Sequence, residues 1–445
     1  MTRQASPLPA LRLSTAVYRF RESLFALPAL VVVGGVVLAE VTAYLDRLLG
    51  FDRPIPLAIH INSNAAVWLL STVAGATITT AGVVFSLTVV SLQLASSQFS
   101  PRVMRSFIRD RLSQSVIGVL VATFVFCVLL LRHIPADPAD LAPQISMTVA
   151  ILLAVAAVLL IMAYLNRLAH GLQVGEVVRT IAAEADAVIQ DIARQASRET
   201  PATDVPSADP ENRLVVTALR DGWVTQSPSE SILGAAPPAT VVRLETRTGA
   251  YIHRGEVLMT IWPAPAEPEK VRARLLSTVE IADIRTMQQD IDFGIRQLVD
   301  IALRALSSAI NDPTTATEVV LRLGSLMRTL LASPEPPTSV SGPDGRVLLR
   351  PWDLSHDEYI AHAFGQIRQT GTTQPHLVAA LIRVLRMLIA HAETTDRPHV
   401  IAALRTQLRL LMDSVSAEPG LHPEDLARLR AIGESVTDPA EHRRS

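Results

Sequence analysis

The chain is expected to be a mainly α membrane protein. Four transmembrane helices come first, and a cytoplasmic region follows, with a small β-sandwich or barrel-like module and then a helical domain. Three observations predict this. Apolar residues make up 49% of the 445 and charged residues 18%, with the apolar excess gathered in the first 170 or so positions. That part holds four apolar runs, each of the roughly 20 residues that a helix needs to cross a bilayer. Beyond it the composition is that of an ordinary globular chain, with runs of Val, Leu and Ile between glycines and then apolar residues at helical spacing.

The spans are read at about 23–45, 64–94, 115–131 and 145–165, inside a transmembrane domain of residues 1–172. Arginines give the orientation. Arg3, Arg12, Arg19 and Arg21 precede the first span, Arg102, Arg105, Arg109 and Arg111 lie between the second and third, and Arg167 and Arg179 follow the fourth. The other two loops carry Arg47, Arg53 and Arg132 with several aspartates. Both termini, and everything after about residue 170, are therefore expected in the cytoplasm, as in a multi-pass membrane protein. The first apolar run is too long for a signal peptide and no small-residue cleavage site follows it.

The second span is the most polar. Thr72, Thr79, Ser86 and Gln93 form a stripe at heptad spacing, with Gly75, Gly82 and Ser96 beside it. Such residues face protein or water rather than lipid. A second set, Thr77, Thr80, Thr88 and Ser91, lies on the opposite face. After Pro101, the apolar Val103, Met104, Phe107 and Ile108 oppose Arg102, Arg105 and Arg109, the pattern of a short helix in the headgroup layer or of a turn packed on the soluble domain. If the second span lines a pore, these arginines bias its inner mouth toward anions. Glu40 is the one carboxylate well inside a span. It is either a functional group or a side chain that snorkels to water near Arg47.

Residues 173–212 read as a juxtamembrane helix and a linker. Val174, Val177, Ile181, Ala185, Val188 and Ile192 form an apolar seam, suited to a short coiled coil or to packing on the protein's own cytoplasmic domain. Residues 213–268 read as the β module. Its "TGAYIHRGEVL" has the spacing of biotinyl- or lipoyl-type half-motifs, but the module has no lysine to carry a group. Residues 269–445 read as the helical domain, interrupted by a Pro/Gly-rich loop at 333–345.

At 293–323 a helix, a tight corner and a second helix are legible. Asn311 suits the left-handed turn that ends one helix, Asp312 the N-cap of the next, and Pro313 its first turn. Arg296, Asp300 and Arg304, one turn apart, are either a solvated helix face or an inward-turned charged network.

Three segments carry a resemblance. They are "TAGVVFSLTVVSLQLASSQFSPRVMRSFIRDR" from Thr80, the Gly-Trp-Val strand around Trp223, and "IRQLVDIALRALSSAINDPTTA", with Ser308 where similar proteins more often have proline. With these the chain resembles a bacterial family of predicted membrane proteins defined by a domain of unknown function (DUF) 2254. The resemblance implies a membrane location and transfers no activity.

The net charge of −2 excludes a broad nucleic-acid-binding surface. Cys127 is the single cysteine, so neither an intramolecular disulfide nor a cysteine-rich metal site is available. His356, His362 and His391 lack the spacing of a zinc motif and are read as exposed or capping. Walker loops, nucleotide fingerprints and nucleophile elbows are absent from the sequence, so neither a cofactor, a metal nor enzymatic activity is expected. Two readings of function remain. The first is a homo-oligomeric channel or transport-like pore, lined by the second span and regulated by the cytoplasmic domain. The second is a membrane-anchored sensor or scaffold whose cytoplasmic domain binds a ligand or a protein partner. Expected partners are the lipid bilayer, further copies of the chain, and a small ion or other ligand.

Overall fold

The computed structural model describes residues 26–49, 59–98, 111–137, 140–171, 173–203, 205–207, 211–395 and 397–434. The chain divides into two compact units, with the break between Gln173 and Val174.

The first unit contains α1 (Ala26–Leu49), α2 (Ser63–Gln98), α3 (Arg111–Leu131) and α4 (Gln144–Gly171). All four are long and apolar enough to cross a membrane. Half of the α3 span is buried, against 28% or less for the others, so α3 is the helix the rest pack around. Small residues make this packing close. A Cβ on Gly35 would sit 2.9 Å from that of Ala122, and one on Gly118 would sit 3.1 Å from Val31 Cβ. Phe126, Leu130, Leu70 and Met147 fill one core, and Leu120, Val84 and Tyr164 another.

A buried carboxylate in this unit is fully partnered. Asp46, 3% exposed, accepts from the backbone of Ile145 (2.9 Å) and Ser146 (2.9 Å) and from the Ser146 hydroxyl (2.6 Å). It thereby caps α4 from another helix and satisfies donors that the first turn cannot bond itself. Glu40 pairs with Arg132, a partner 92 positions away, rather than with the nearby Arg47.

The second unit opens with α5 (Val174–Ala196). Its seam, with Val177, Ile181, Ala185 and Val188 buried, packs on helices of the same unit. Strands β1 (Thr200–Pro201), β2 (Leu214–Thr217) and β3 (Gly222–Gln226) lead to α6 (Ser229–Ala235). Then come β4 (Val241–Leu244), β5 (Tyr251–Ile252), β6 (Val257–Trp262), α7 (Pro268–Leu276) and β7 (Glu280–Ala282). The remainder is α8 (Ile291–Ala305), α9 (Pro313–Ala332), β8 (Ser339–Ser341), β9 (Val347–Leu349), α10 (His356–Thr370), α11 (Pro375–Thr394), α12 (Pro398–Ser416) and α13 (Pro423–Glu434).

The strands form two sheets, a six-stranded one ordered β1-β8-β9-β4-β6-β2 and a three-stranded one ordered β5-β3-β7. All pairings are antiparallel except β4 with β9. The sheets share one core, in which Val216, Leu244, Leu258 and Ile261 meet Val224 and Ile281, with Ile232 of α6 and Leu275 of α7 beside them. Among the described residues the two sheets do not close into a barrel. The module expected within 213–268 also recruits β1 from the supposed linker, β7 from beyond its end, and β8 and β9 from the supposed loop and its sequel. Two- and three-residue strands carry too few positions for an alternating pattern to register, and the chain reveals them only once paired.

Helix starts in this unit follow local chemistry. Asp290 accepts from Phe293 N (3.2 Å) at the start of α8, and Ser355 and Glu358 form a capping box on α10. Pro313, Pro375 and Pro398 open α9, α11 and α12, where a missing N–H costs nothing.

Candidate functional site

The sequence corner at 311–313 has the geometry its residues suggest. Asn311 adopts φ 48°, and Asp312 accepts from Thr315 N (3.0 Å) and from the Thr315 hydroxyl (2.5 Å). These bonds, the hydroxyl first, hold the Asp312 carboxyl below its ordinary range. The local cap accounts for the whole motif.

Charge is concentrated instead at the start of α8. Asp292, 1% exposed at its side chain, lies within 2.8 Å of Arg285 and 2.7 Å of Arg296. Nδ1 of His362 is 2.7 Å from its other oxygen. Asp290 pairs with Arg285 at 2.6 Å. Burial alone would raise the Asp292 carboxyl, but the bonds from His362, Arg285 and Arg296 outweigh it and hold the group well below the carboxylate range. Burial raises Asp290 instead, against the pull of Arg285. The Arg285 guanidinium lies 5.4 Å from the Trp223 ring centre and 5.5 Å from that of Phe293. Two of the sequence segments behind the family resemblance, the Trp223 strand and the helix of Arg296, thus meet at one ion cluster.

Arg296 is therefore part of an inward network, but its partner is Asp292, one turn earlier. Asp300 and Arg304 are half-buried further along α8. His362, read from sequence as exposed or capping, belongs to this cluster, and His356 is buried as the first residue of α10.

Beside the cluster lies a cavity of about 210 Å³. Six stretches of chain converge on it: the end of α5, the loop after β3, the turn at Arg247–Thr248, the start of α8, the segment following α9 and the segment following β9. Its wall combines the apolar Ile189, Ile192 and Leu330 with hydroxyls of Ser227, Thr248 and Tyr359. Arg350 in the wall is held by Glu199 (2.7 Å), Ser229 (2.9 Å) and the Pro337 carbonyl (2.8 Å). Enclosure and the surrounding carboxylates of Asp290, Asp292 and Asp353 raise the Tyr359 phenol, so it stays a neutral donor. An apolar wall with a few convergent polar groups is the usual form of a small-molecule site.

At one side of the cavity Glu335, His356 and His399 bring their ligand-type atoms within 4.8 Å of one another. Arg397 approaches His356 Nδ1 at 3.3 Å. Burial first, with Arg397 and His399 adding to it against Glu335, pushes the His356 imidazole down to about 4.

None of the cavity's charged residues was legible as a site in sequence. Glu199 and Arg350 are 151 positions apart, and only the N-cap pattern at Asp290 has a local signature.

In the membrane unit, Thr72, Thr79, Ser86 and Gln93 lie exposed on the surface of the four-helix unit, while Thr77 is buried and Thr88 bonds Tyr164 at 3.0 Å. A Cβ on Gly75 or Gly82 would meet nothing within 4 Å. Thr72 and Thr79 donate to the carbonyls of Trp68 (2.7 Å) and Gly75 (2.8 Å). Arg102, Arg105 and Arg109, with the helix expected around them, fall outside the described residues.

Comparison with known proteins places the chain among membrane proteins. The family described as predicted membrane protein (DUF2254) matches residues 21–387. An uncharacterised protein of Mycobacterium bovis is 34% identical over 327 residues, 71% of this chain and 62% of the relative. An uncharacterised protein of Mycobacterium tuberculosis matches with the same identity and coverage. The chain thus spans less than two thirds of these relatives' length. No solved structure matches it. With four apolar helices of spanning length and a family match over most of its length, the chain belongs to the DUF2254 family of predicted membrane proteins.

Proposed function

We propose that this protein is a non-enzymatic membrane-anchored sensor, whose second unit lies in the cytoplasm and binds a small polar ligand. The observation that carries this reading is the cavity of about 210 Å³, at which six stretches of chain meet beside a buried ion cluster. A ligand that touches all six would favour one arrangement of them over others, which is the physical content of sensing. The test is thermal unfolding of the purified full chain against a panel of small polar metabolites, repeated with Ala193→Trp, which fills the cavity from α5. Saturable stabilisation that vanishes in the filled variant supports the reading. Stabilisation that persists in that variant overturns it.

A second reading, a homo-oligomeric pore in the bacterial inner membrane, is favoured by the exposed stripe of Thr72, Thr79, Ser86 and Gln93 with open space over Gly75 and Gly82. It ranks behind the sensor because Thr72 and Thr79 are satisfied by their own helix and do not require water or a partner. Conductance of the purified protein in a planar bilayer, abolished by Ser86→Leu, would reverse that order.

A further inference from the structure

We infer that Glu335, His356 and His399 form a site for one divalent transition-metal ion of the zinc class at the side of the cavity. The three residues come from three places in the unit: the segment after α9, the first turn of α10 and the first turn of α12. One oxygen, Glu335 Oε1, lies 2.9 Å from His356 Nδ1 and 3.8 Å from His399 Nε2. Around a tetrahedral ion with bonds of about 2.0–2.1 Å, neighbouring ligand atoms are about 3.3 Å apart. The two separations from Glu335 bracket that value, and all three ligand atoms lie within 4.8 Å of one another, so side-chain adjustments of about an ångström would bring them onto one ion. Two imidazoles and a carboxylate are a donor set suited to zinc and to other divalent ions of the first transition row. Glu335 and His356 also line the cavity, so a remaining coordination position is available on the cavity side.

Arg397 is the opposing feature. Its Nη1 lies 3.3 Å from His356 Nδ1 while its Nη2 donates to the Ser333 carbonyl at 3.0 Å. The guanidinium and a metal ion would compete for the same nitrogen. The site therefore makes a prediction that a chance cluster does not: removing the arginine strengthens metal binding.

The experiment is calorimetric titration of the chelator-stripped full chain with zinc ion alone, with cobalt(II) absorption as a second readout of coordination. One ion is expected per chain. Glu335→Gln and His399→Ala, both at exposed side chains, weaken binding about tenfold or more without moving the metal-free melting temperature. Arg397→Ala tightens it. Absence of saturable binding, or binding of equal strength in Glu335→Gln and His399→Ala, overturns the site. The readout is the ion itself, so failure here leaves the ligand-sensing reading untouched, and failure of that reading leaves this one standing.

Discussion

In α2, Thr72 and Thr79 each donate to a carbonyl of their own helix, one turn earlier. Around Asp292, by contrast, Arg285 comes from the loop before α8, Arg296 from α8 itself and His362 from α10. Both regions satisfy polar side chains within the fold. Thr72 and Thr79 do so locally, and either hydroxyl can be changed without disturbing a neighbour. The second unit does so through a shared acceptor, and removing one group leaves several uncompensated. Polar content of similar appearance in sequence therefore has different energetic weight in the two units.

The strongest way to sharpen this contrast is Asp292→Ala. It leaves Arg285 buried with Asp290 but without Asp292 as a carboxylate partner and should cost about 3–5 kcal/mol, read by chemical or thermal unfolding of the purified chain. The same variant has a pH signature. A carboxyl held below its unfolded value contributes stability that is complete above the unfolded pKa of about 3.9 and is lost as pH falls toward the folded value. The gap between wild type and variant should thus be widest near neutrality and narrow on acidification below about pH 4. Asp290, shifted upward by burial, acts in the opposite sense but is present in both proteins. A gap independent of pH would show that the cluster does not titrate as one.

Gly249→Ala comes next. Gly249 holds φ +82° and a Cβ there would overlap Asp290 Oδ2 and approach Arg285 Nη2 at 2.8 Å. Backbone strain and displacement of the pair should cost about 1–3 kcal/mol, and a neutral result would mean that the β5 side of the cluster yields easily. Asp312→Ala, at the purely local cap, should cost about 1 kcal/mol. Loss of ligand response with unchanged melting would make that corner a site rather than a cap.

The smallest effect belongs to the membrane unit. Thr79→Val should change stability by no more than about 0.5 kcal/mol. Gly82→Leu meets open space and should leave the protomer folded. If Gly82→Leu nevertheless alters the oligomeric state in native mass spectrometry, that face of α2 is used by another copy, and the contrast between the two units narrows.

Some of this was decided along the chain. Four spans were fixed by the length of apolar runs, since a bilayer admits only segments that satisfy their own backbone. The α9 corner was fixed by Asn311, Asp312 and Pro313 within three positions. The apolar face of α5 was legible from its period, though only packing decided that it meets α8, where a Cβ on Gly294 would sit 2.8 Å from that of Ala185. Tertiary structure alone decided the rest. The pairing of β4 with β9, the capping of α4 by Asp46, the bond between Glu199 and Arg350, and the meeting of Glu335, His356 and His399 all join residues that no local pattern relates. Periodicity and capping act over one or two turns of chain, whereas a charged group out of water takes whichever partner the folded backbone delivers.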